Sequence, residues 1–204
     1  MNQSYFSQKD VDILEKKPVF QGFFRMDKYR LQHALFDGGQ SEIFQREIFE
    51  RGSSACVLPW DPIRDEIILV EQFRVGALTH PISPWLLEVV AGMIEVDESP
   101  KEVVIRESKE EAGLDISRLK SIGSYLASPG GTTERVWLFI GEVDATKAGG
   151  VHGLKEEHED IRVHVLDRKE ICQNPFQSRF DNAASLLAIQ WLQIHHEDLK
   201  SDWG

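Results

Sequence analysis

Three glutamates at helical spacing are the residues of this chain whose types and positions best suit chemistry. Glu107 and Glu111 are four positions apart, and Glu110 is three positions from Glu107. A helix would place all three on one side, where like charges destabilise it. The cluster is therefore either a solvated acidic surface or a site for divalent cations, because Mg²⁺ and Mn²⁺ favour carboxylate oxygens.

The residues around these acids predict a short helix with well-marked ends. Ser99 is a suitable N-cap, Pro100 suits the first helical position, and Glu102 completes a capping box. Gly113 suits the position just past the C-terminus, where a residue without Cβ is least strained. The sequence therefore predicts a helix over residues 100–112.

The stretch from Gly92 to Leu114 follows the pattern G-x5-E-x7-R-E-U-x-E-E-x-G-U, where U is aliphatic, at every position but one. The matching residues are Gly92, Glu98, Arg106, Glu107, Glu110, Glu111, Gly113 and Leu114. Seven fixed residues arise by chance at on the order of 10⁻⁸ per starting position if each has a frequency of about 7%. The pattern resembles the Nudix box of the Nudix hydrolases, which cleave nucleoside diphosphates linked to another moiety. The exception is Ser108, whose hydroxyl can bond back to a helix carbonyl.

Composition indicates one main domain with an extension. The chain has 204 residues, of which 41% are hydrophobic and 28% are charged, as in ordinary soluble proteins. Its two cysteines form no C-x-x-C pair, so we expect neither a thiolate zinc site nor a disulfide framework, and a reducing cytoplasm fits. We expect no membrane span and no signal peptide. A net charge of −11 argues against nucleic acid or an anionic membrane as a partner.

Residues 1–50 predict strands. The run 20–36 is rich in aromatics and partly alternates, residues 37–40 (DGGQ) indicate a hairpin, and residues 41–50 return as another strand. After a short apolar run at 11–14, Pro18 is expected to interrupt the strand. A three-stranded antiparallel unit with so few apolar residues would be marginal alone. We therefore expect it to pack on something else, such as a second copy of the chain.

Strands alternate with helices in the rest of the chain, which predicts a mixed sheet between helices. The predicted strands cover 55–60, 66–75, 86–91, 121–126, 135–143 and 161–166, and a short helix covers 167–172. A last helix is expected over 182–195, capped by Asp181. Its predicted core face consists of Ala184, Leu187, Ala188, Trp191 and Ile194. The adjacent His195 and His196 do not face together on a helix, so they do not predict a metal site.

Two loops and one strand carry further candidates. Arg74 is either an exposed strand residue or a planar cation for phosphate recognition, and residue types alone favour the first. The loop 127–134 could be a simple Pro-Gly turn, or it could bring backbone amides close to a phosphate or ribose. The segment 145–160 ends in LKEEHED and reads most simply as an exposed loop. It is also a good source of a base for water attack, for which His158 is one candidate, and the resemblance to the Nudix family ranks Glu157 above it.

The resemblance covers nearly the whole chain, and the placement of Pro129, fifteen positions after Leu114, is similar to that in family members that act on ADP-ribose. It implies an α/β/α Nudix sandwich over 51–204 with a β-rich N-terminal extension over 1–50. In the ADP-ribose diphosphatase branch this extension exchanges between the protomers of a homodimer.

The resemblance also implies residue roles for a metal-dependent hydrolysis of ADP-ribose to AMP and ribose 5-phosphate. More than one Mg²⁺ or Mn²⁺ ion would be held by Glu107, Glu110, Glu111, Glu159 and the carbonyl of Ala91. Arg106 would pair with Glu98 and so position these ligands, and Glu157 would be the catalytic base. The implied substrate contacts are Phe23, Phe24, Arg46, Glu47, Arg51, Arg74, Met93, Ser128, Pro129, Gly130 and Glu134. Phe23 and Phe24 would stack near the adenine, and Phe23 and Arg46 would come from the partner chain.

Two alternatives stay open. One is a diphosphatase for GDP-mannose or another nucleoside diphosphate sugar, which would share the box and much of the extension. The other is a non-catalytic Nudix-like module that senses ADP-ribose. The intact set of acids argues against the sensor, because binding alone does not require three clustered carboxylates and a base.

Overall fold

The computed structural model describes residues 5–173 and 180–203. The chain folds as two compact units. The first unit comprises Met1–Gly52 together with Leu126–Glu134, and the second comprises Ser53–Tyr125 together with Arg135–Gly204. The first unit therefore includes a loop that lies far from it in the sequence.

The first unit is a three-stranded antiparallel sheet in the order β1-β2-β3, as the sequence predicts. Its strands are β1 (Val11–Gln21), β2 (Arg25–His33) and β3 (Phe44–Glu50). The expectation that Pro18 interrupts the strand is wrong, because β1 continues through it. A register shift between Pro18 and Phe20 accompanies the residue that lacks an N–H donor, and β1 is an edge strand of this sheet, where proline is tolerated.

The predicted hairpin joins β2 to β3. The Leu35 amide donates to the Gly39 carbonyl over 3.0 Å, and the Gly38 amide donates to the Leu35 carbonyl over 3.0 Å. Gly38 and Gly39 have φ values of 89° and 76°. Both values lie in the left-handed region, where a side chain would be strained, so the two glycines make this tight reversal possible.

The second unit contains a mixed eight-stranded sheet in the order β10-β11-β5-β4-β9-β8, with β6 paired to β5 and β7 paired to β4. The strands are β4 (Ser54–Asp61), β5 (Glu66–Phe73), β6 (Trp85–Glu88), β7 (Val90–Met93), β8 (Arg118–Leu126), β9 (Arg135–Glu142), β10 (Val151–His152) and β11 (Ile161–Asp167). β4 and β9 are parallel. The single strand predicted over 86–91 is in fact two short strands that pair with different neighbours.

Helices cover both faces of this sheet, which gives the expected α/β/α layers. Along β4, Ala55 and Val57 belong to the core cluster that includes residues of α1 (Pro100–Ala112). The alternate residues Leu58 and Trp60 belong to the cluster that includes residues of α3 (Ala183–Trp203). This period-2 alternation explains why β4 is apolar on both sides. Each buried aliphatic side chain contributes about 1.5–3 kcal/mol to stability.

The start and end of α3 differ from the prediction. Asn182 caps the helix by accepting a hydrogen bond from the Ser185 amide over 2.9 Å. The expectation for Asp181 is wrong, since its carboxylate lies 3.3 Å from His80 Nε2. The helix also continues past His195 to Trp203. A short helix α2 (Arg168–Gln173) precedes it, as predicted. Among the described residues, no helix is both long and apolar enough to span a membrane.

The buried face of α3 is also different from the predicted one. Leu187 is 42% exposed and Ile194 is 74% exposed, although both were expected in the core. The buried residues are Ser185, Ala188, Ile189, Leu192, Leu199 and Trp203. The helix carries apolar residues on two sides, so periodicity alone did not decide between them. The last turns of the helix distinguish the two sides, because Leu199 and Trp203 extend the buried side that contains Leu192.

Candidate functional site

Helix α1 is closed at both ends by the residues that the sequence indicates. Ser99 Oγ accepts from the Glu102 amide over 3.3 Å, and Glu102 Oε2 accepts from the Ser99 amide over 2.8 Å. Gly113 has a φ of 67°, and its amide donates to the Lys109 carbonyl over 3.1 Å. The predicted hydrogen bond from Ser108 back to the helix is present, since its buried hydroxyl donates to the Val104 carbonyl. The acidic side chains therefore project from a well-defined scaffold.

Arg106 gathers three carboxylates. Its Nε and Nη2 donate to the two oxygens of Glu98 over 3.0 and 3.1 Å, so this pair is bidentate. Its Nη1 donates to Glu107 over 2.8 Å and to Glu110 over 3.0 Å. The pairing with Glu98 agrees with the sequence, and the contact lowers the pKa of the Glu98 carboxyl. The contacts with Glu107 and Glu110 offset the repulsion between those two acids.

Glu111 is the most deeply buried acid of the helix, with 2% of its surface exposed. Its Oε2 accepts from the Ala91 amide over 3.1 Å, and its Oε1 lies 3.5 Å from the Gln72 amide nitrogen. Burial raises the pKa of this carboxyl to about 8, and the nearby charges of Glu107 and Glu159 act in the same direction. The contact between Gln72 and Glu111 joins residues that are far apart in the sequence, and it was not predicted.

Glu107 occupies space that only a glycine leaves open. A Cβ at Gly92 would lie 1.9 Å from Glu107 Oε1 and 2.5 Å from its Cγ. Burial raises the pKa of Glu107 to about 7, while Arg106 opposes this effect. Glycine at the start of the box is therefore required by the close approach of this carboxylate to strand β7.

The donor set fits a divalent cation in its chemistry. Glu107 and Glu111 supply hard oxygen donors, and their raised pKa values show that a nearby positive charge would stabilise their ionised forms. Within residues 5–173 and 180–203, no three His, Cys, Asp or Glu side chains are arranged closely enough to hold a metal ion as they stand. Arg106 donates hydrogen bonds to Glu107 and Glu110, so these two carboxylates are engaged with Arg106 in this arrangement.

The acidic segment after β9 is more ordered than expected. It contains β10 and two short 3₁₀-helices, Ala145–Lys147 and Lys155–Glu157. Glu157 is exposed in the second of these helices. Glu159 is fixed differently, because its Oε2 accepts from the Leu154 amide over 3.0 Å. His158, between them, has a φ of 58°. The two candidate acids therefore differ in freedom: Glu157 faces solvent, while Glu159 is tied to the backbone.

Arg74 follows β5 and is paired with Glu88 on the neighbouring strand β6. Its Nη2 lies 2.7 Å from Glu88 Oε2, and its side chain is 43% exposed. With His80, Asp181 and other residues, the pair lines an open cavity of about 440 Å³. Arg74 is thus ion-paired with Glu88, while part of its side chain is still exposed to solvent. Glu88 was missed because strand pairing cannot be read from one sequence. Met93 ends β7 and is partly exposed.

In the first unit, the structure brings together some of the implied substrate contacts. The Phe23 and Phe24 rings meet edge to face at 4.8 Å, and Phe24 packs on Phe49 at 5.2 Å. The Arg51 guanidinium lies 5.6 Å from the centre of the Phe24 ring, and its Nη1 is 3.2 Å from Glu134. An aromatic pair, a cation and an acid therefore lie side by side.

The other implied contacts of this unit lie elsewhere on it. Arg46 donates to the Gln45 carbonyl over 2.8 Å and stacks over the Phe44 ring at 4.6 Å, and Glu47 is exposed on the same strand. Ser128, Pro129 and Gly130 form an exposed turn, in which the Gly131 amide donates to the Ser128 carbonyl over 2.9 Å.

Comparison with known proteins identifies the family. Residues 50–187 match the family described as NUDIX domain. The chain belongs to the Nudix family. The resemblance seen in the box at 92–114 is thus confirmed, and divalent-metal dependence is general among Nudix ADP-ribose pyrophosphatases.

Several curated Nudix relatives extend over nearly the whole chain. The "ADP-ribose pyrophosphatase" of Escherichia coli strain K12 is 52% identical over 199 residues, covering 98% of this chain and 95% of that protein. The protein of the same name from Haemophilus influenzae is 45% identical over 202 residues, covering 98% and 93%. The "GDP-mannose pyrophosphatase" of Pectobacterium atrosepticum is 31% identical over 185 residues, covering 88% and 92%.

A solved structure supports the Nudix fold. A crystal structure of an "ADP compounds hydrolase" superposes with a TM-score of 0.69, covering 93% of this chain and 98% of that one. At 18% identity, the likeness shows the fold alone. The α/β/α expectation is confirmed.

We predict that Gly92→Ala lowers activity by at least about tenfold and raises the divalent-metal concentration needed for half-maximal activity. The new methyl group would displace Glu107, and misplacement of a site group by about 1 Å can cost about 10²-fold in rate. Gly76→Ala is the matched control, because a Cβ there meets nothing within 4 Å. Metal titrations of both variants test this, and equal curves for the two would contradict it.

Proposed function

We propose that this chain hydrolyses the diphosphate of ADP-ribose to give AMP and ribose 5-phosphate. The observation that carries the proposal is 52% identity to a curated ADP-ribose pyrophosphatase over 98% of the chain. Identity to a GDP-mannose pyrophosphatase is 31%, so that substrate is the second candidate. The intact acid cluster around Arg106 supports hydrolysis over simple binding.

The proposed metal ligands are the acids of α1 and of the segment after β10. Glu107, Glu110, Glu111, Glu159 and the Ala91 carbonyl would hold more than one Mg²⁺ or Mn²⁺ ion. Bound divalent cations neutralise diphosphate charge and orient an attacking water. Arg106 would keep its bidentate contact with Glu98 and release Glu107 and Glu110. It therefore positions the helix-borne ligands while remaining outside the ligand set.

Glu157 is the proposed catalytic base. Its carboxylate is exposed in the 3₁₀-helix Lys155–Glu157, so it is available to take a proton from the attacking water. The acids of α1 are less suitable, since they contact Arg106 or the backbone. His158 is the competing base.

The proposed substrate contacts divide by chemistry. Arg51 and Arg74 suit phosphate oxygens because a planar guanidinium forms paired hydrogen bonds. Phe23 is 88% exposed beside Phe24 and suits stacking on a purine. Residues that would complete the contacts are Arg46, Glu47, Met93, Ser128, Pro129, Gly130 and Glu134.

We also propose a homodimer in which the N-terminal sheet exchanges between protomers. Every residue of β1 is exposed, including Ile13, Leu14 and Phe20, and a second copy would cover such apolar residues. By resemblance, Phe23 and Arg46 would then serve the partner's site. Light scattering should give the mass of two chains, whereas the mass of one chain would contradict the exchange.

The substrate is tested with a panel of nucleoside diphosphate sugars. With Mg²⁺, we expect ADP-ribose to have the highest kcat/KM and to yield AMP and ribose 5-phosphate, and we expect chelation to stop turnover reversibly. A preference for GDP-mannose would favour the second candidate. Tight binding of ADP-ribose without products would identify a sensor.

The base is tested with two variants. Glu157→Gln keeps the size of the side chain but cannot accept a proton, so kcat should fall about 10²- to 10⁴-fold, or about 3–5 kcal/mol of barrier, with little change in Mg²⁺ affinity. Glu156→Gln, in the same turn, is the control and should resemble wild type. If His158→Ala is instead the slow variant and Glu157→Gln is nearly normal, His158 is the base.

A further inference from the structure

The loop Leu126–Glu134 is held by the end of β3 through consecutive residues. The Phe49 amide donates to the Gly131 carbonyl over 2.8 Å, and Phe49 forms a parallel bridge with Thr132. Two residues on, Arg51 pairs with Glu134 at 3.2 Å. The intervening residue, Glu50, accepts a hydrogen bond from a hydroxyl group of the loop.

Thr133 donates its hydroxyl proton to Glu50 Oε2 over 2.5 Å. The other oxygen, Oε1, lies 3.5 Å from Lys16 Nζ on β1 and 3.5 Å from the Tyr29 hydroxyl on β2. Lys16 also pairs with the buried carboxylate of Asp27 at 3.2 Å. Glu50 is therefore fixed by both other strands of the sheet, and it presents a charged acceptor to Thr133. Hydrogen bonds to a charged group are roughly twice as strong as neutral ones.

The exposed turn is held by hydrogen bonds within the loop as well as by these contacts with β3. The Gly131 and Thr132 amides both donate to the Ser128 carbonyl over 2.9 Å, and the Ala127 amide donates to the Glu134 carbonyl over 3.0 Å. Gly130 and Gly131 have no side chain with which to hold the turn. Its position on the sheet is therefore set from its C-terminal end, by the bond from the Phe49 amide to Gly131 and by the bond from Thr133 to Glu50.

We propose that Thr133 and Glu50 are a positioning pair that sets the Ser128–Gly130 turn for substrate binding. This inference rests on the proposed function, in which that turn contacts ADP-ribose. Neither side chain of the pair touches substrate. The N-terminal sheet thus influences affinity for substrate through the Thr133 hydroxyl, in addition to any contact of its own.

The test compares Thr133→Val with Thr133→Ser. Valine keeps the shape but removes the donor, so KM for ADP-ribose should rise about tenfold, the order of one lost hydrogen bond to a charged group, while kcat stays within about twofold. Serine keeps the hydroxyl and should restore KM. Ser117→Ala is the matched control: it removes a 2.6 Å hydroxyl bond to Glu142 in the second unit and should change neither constant.

Two further measurements decide the remaining outcomes. Glu50→Gln keeps a hydrogen-bond acceptor but loses the charge, so KM should rise less than in Thr133→Val. If Thr133→Val fails to fold, Glu50→Gln tests the proposal in its place. Hydrogen exchange without substrate should show faster exchange of the Gly131 and Thr132 amides in Thr133→Val. An unchanged KM, or a fall in kcat alone, overturns the proposal. If wild type does not hydrolyse ADP-ribose, the proposed function fails, and unchanged exchange would separately refute the role of Thr133 in the loop.

Discussion

Repulsion among carboxylates on one helix is the constraint on which the site depends. Glu107, Glu110 and Glu111 project from about one turn of α1, and burial raises the pKa values of Glu107 and Glu111. Such a cluster is tolerated only with compensating positive charge or hydrogen bonds. Arg106 compensates Glu107 and Glu110, and the Ala91 amide compensates Glu111. A bound divalent cation would supply part of this compensating charge. The clustered carboxylates, which destabilise the helix, would then serve to bind the metal.

The fold supplies the fixed positions that this balance requires. Strand β7 pairs with the central strand β4, and the pairs Ala55–Gly92 and Cys56–Ala91 set the height of the box relative to the sheet. The capping box and Gly113 then fix the limits of α1. Because Gly92 has no Cβ, the side chain of Glu107 lies directly against strand β7. The acids of α1 therefore have defined positions.

Local signals explain which parts of the structure could be predicted. The caps of α1, the Arg106–Glu98 pair and the DGGQ hairpin each depend on residues close in sequence, and all are present. The division of residues 86–91 into two strands depends on which distant strand each half joins. The buried face of α3 likewise depends on packing against the sheet, because apolar residues occur on two of its sides. Gln72 and Glu88 were missed for the same reason, since their partners Glu111 and Arg74 are reached only through tertiary structure.

The discontinuity of the first unit has a consequence for biosynthesis. Its strands are made first, but the loop that completes it, Leu126–Glu134, is made only after the whole first segment of the second unit, Ser53–Tyr125. The contact between Phe49 and Gly131 closes a long stretch of chain, and such non-local contacts slow folding because loop closure is entropically unfavourable. During synthesis the nascent N-terminal sheet therefore lacks this contact until residues 126–134 have left the ribosome.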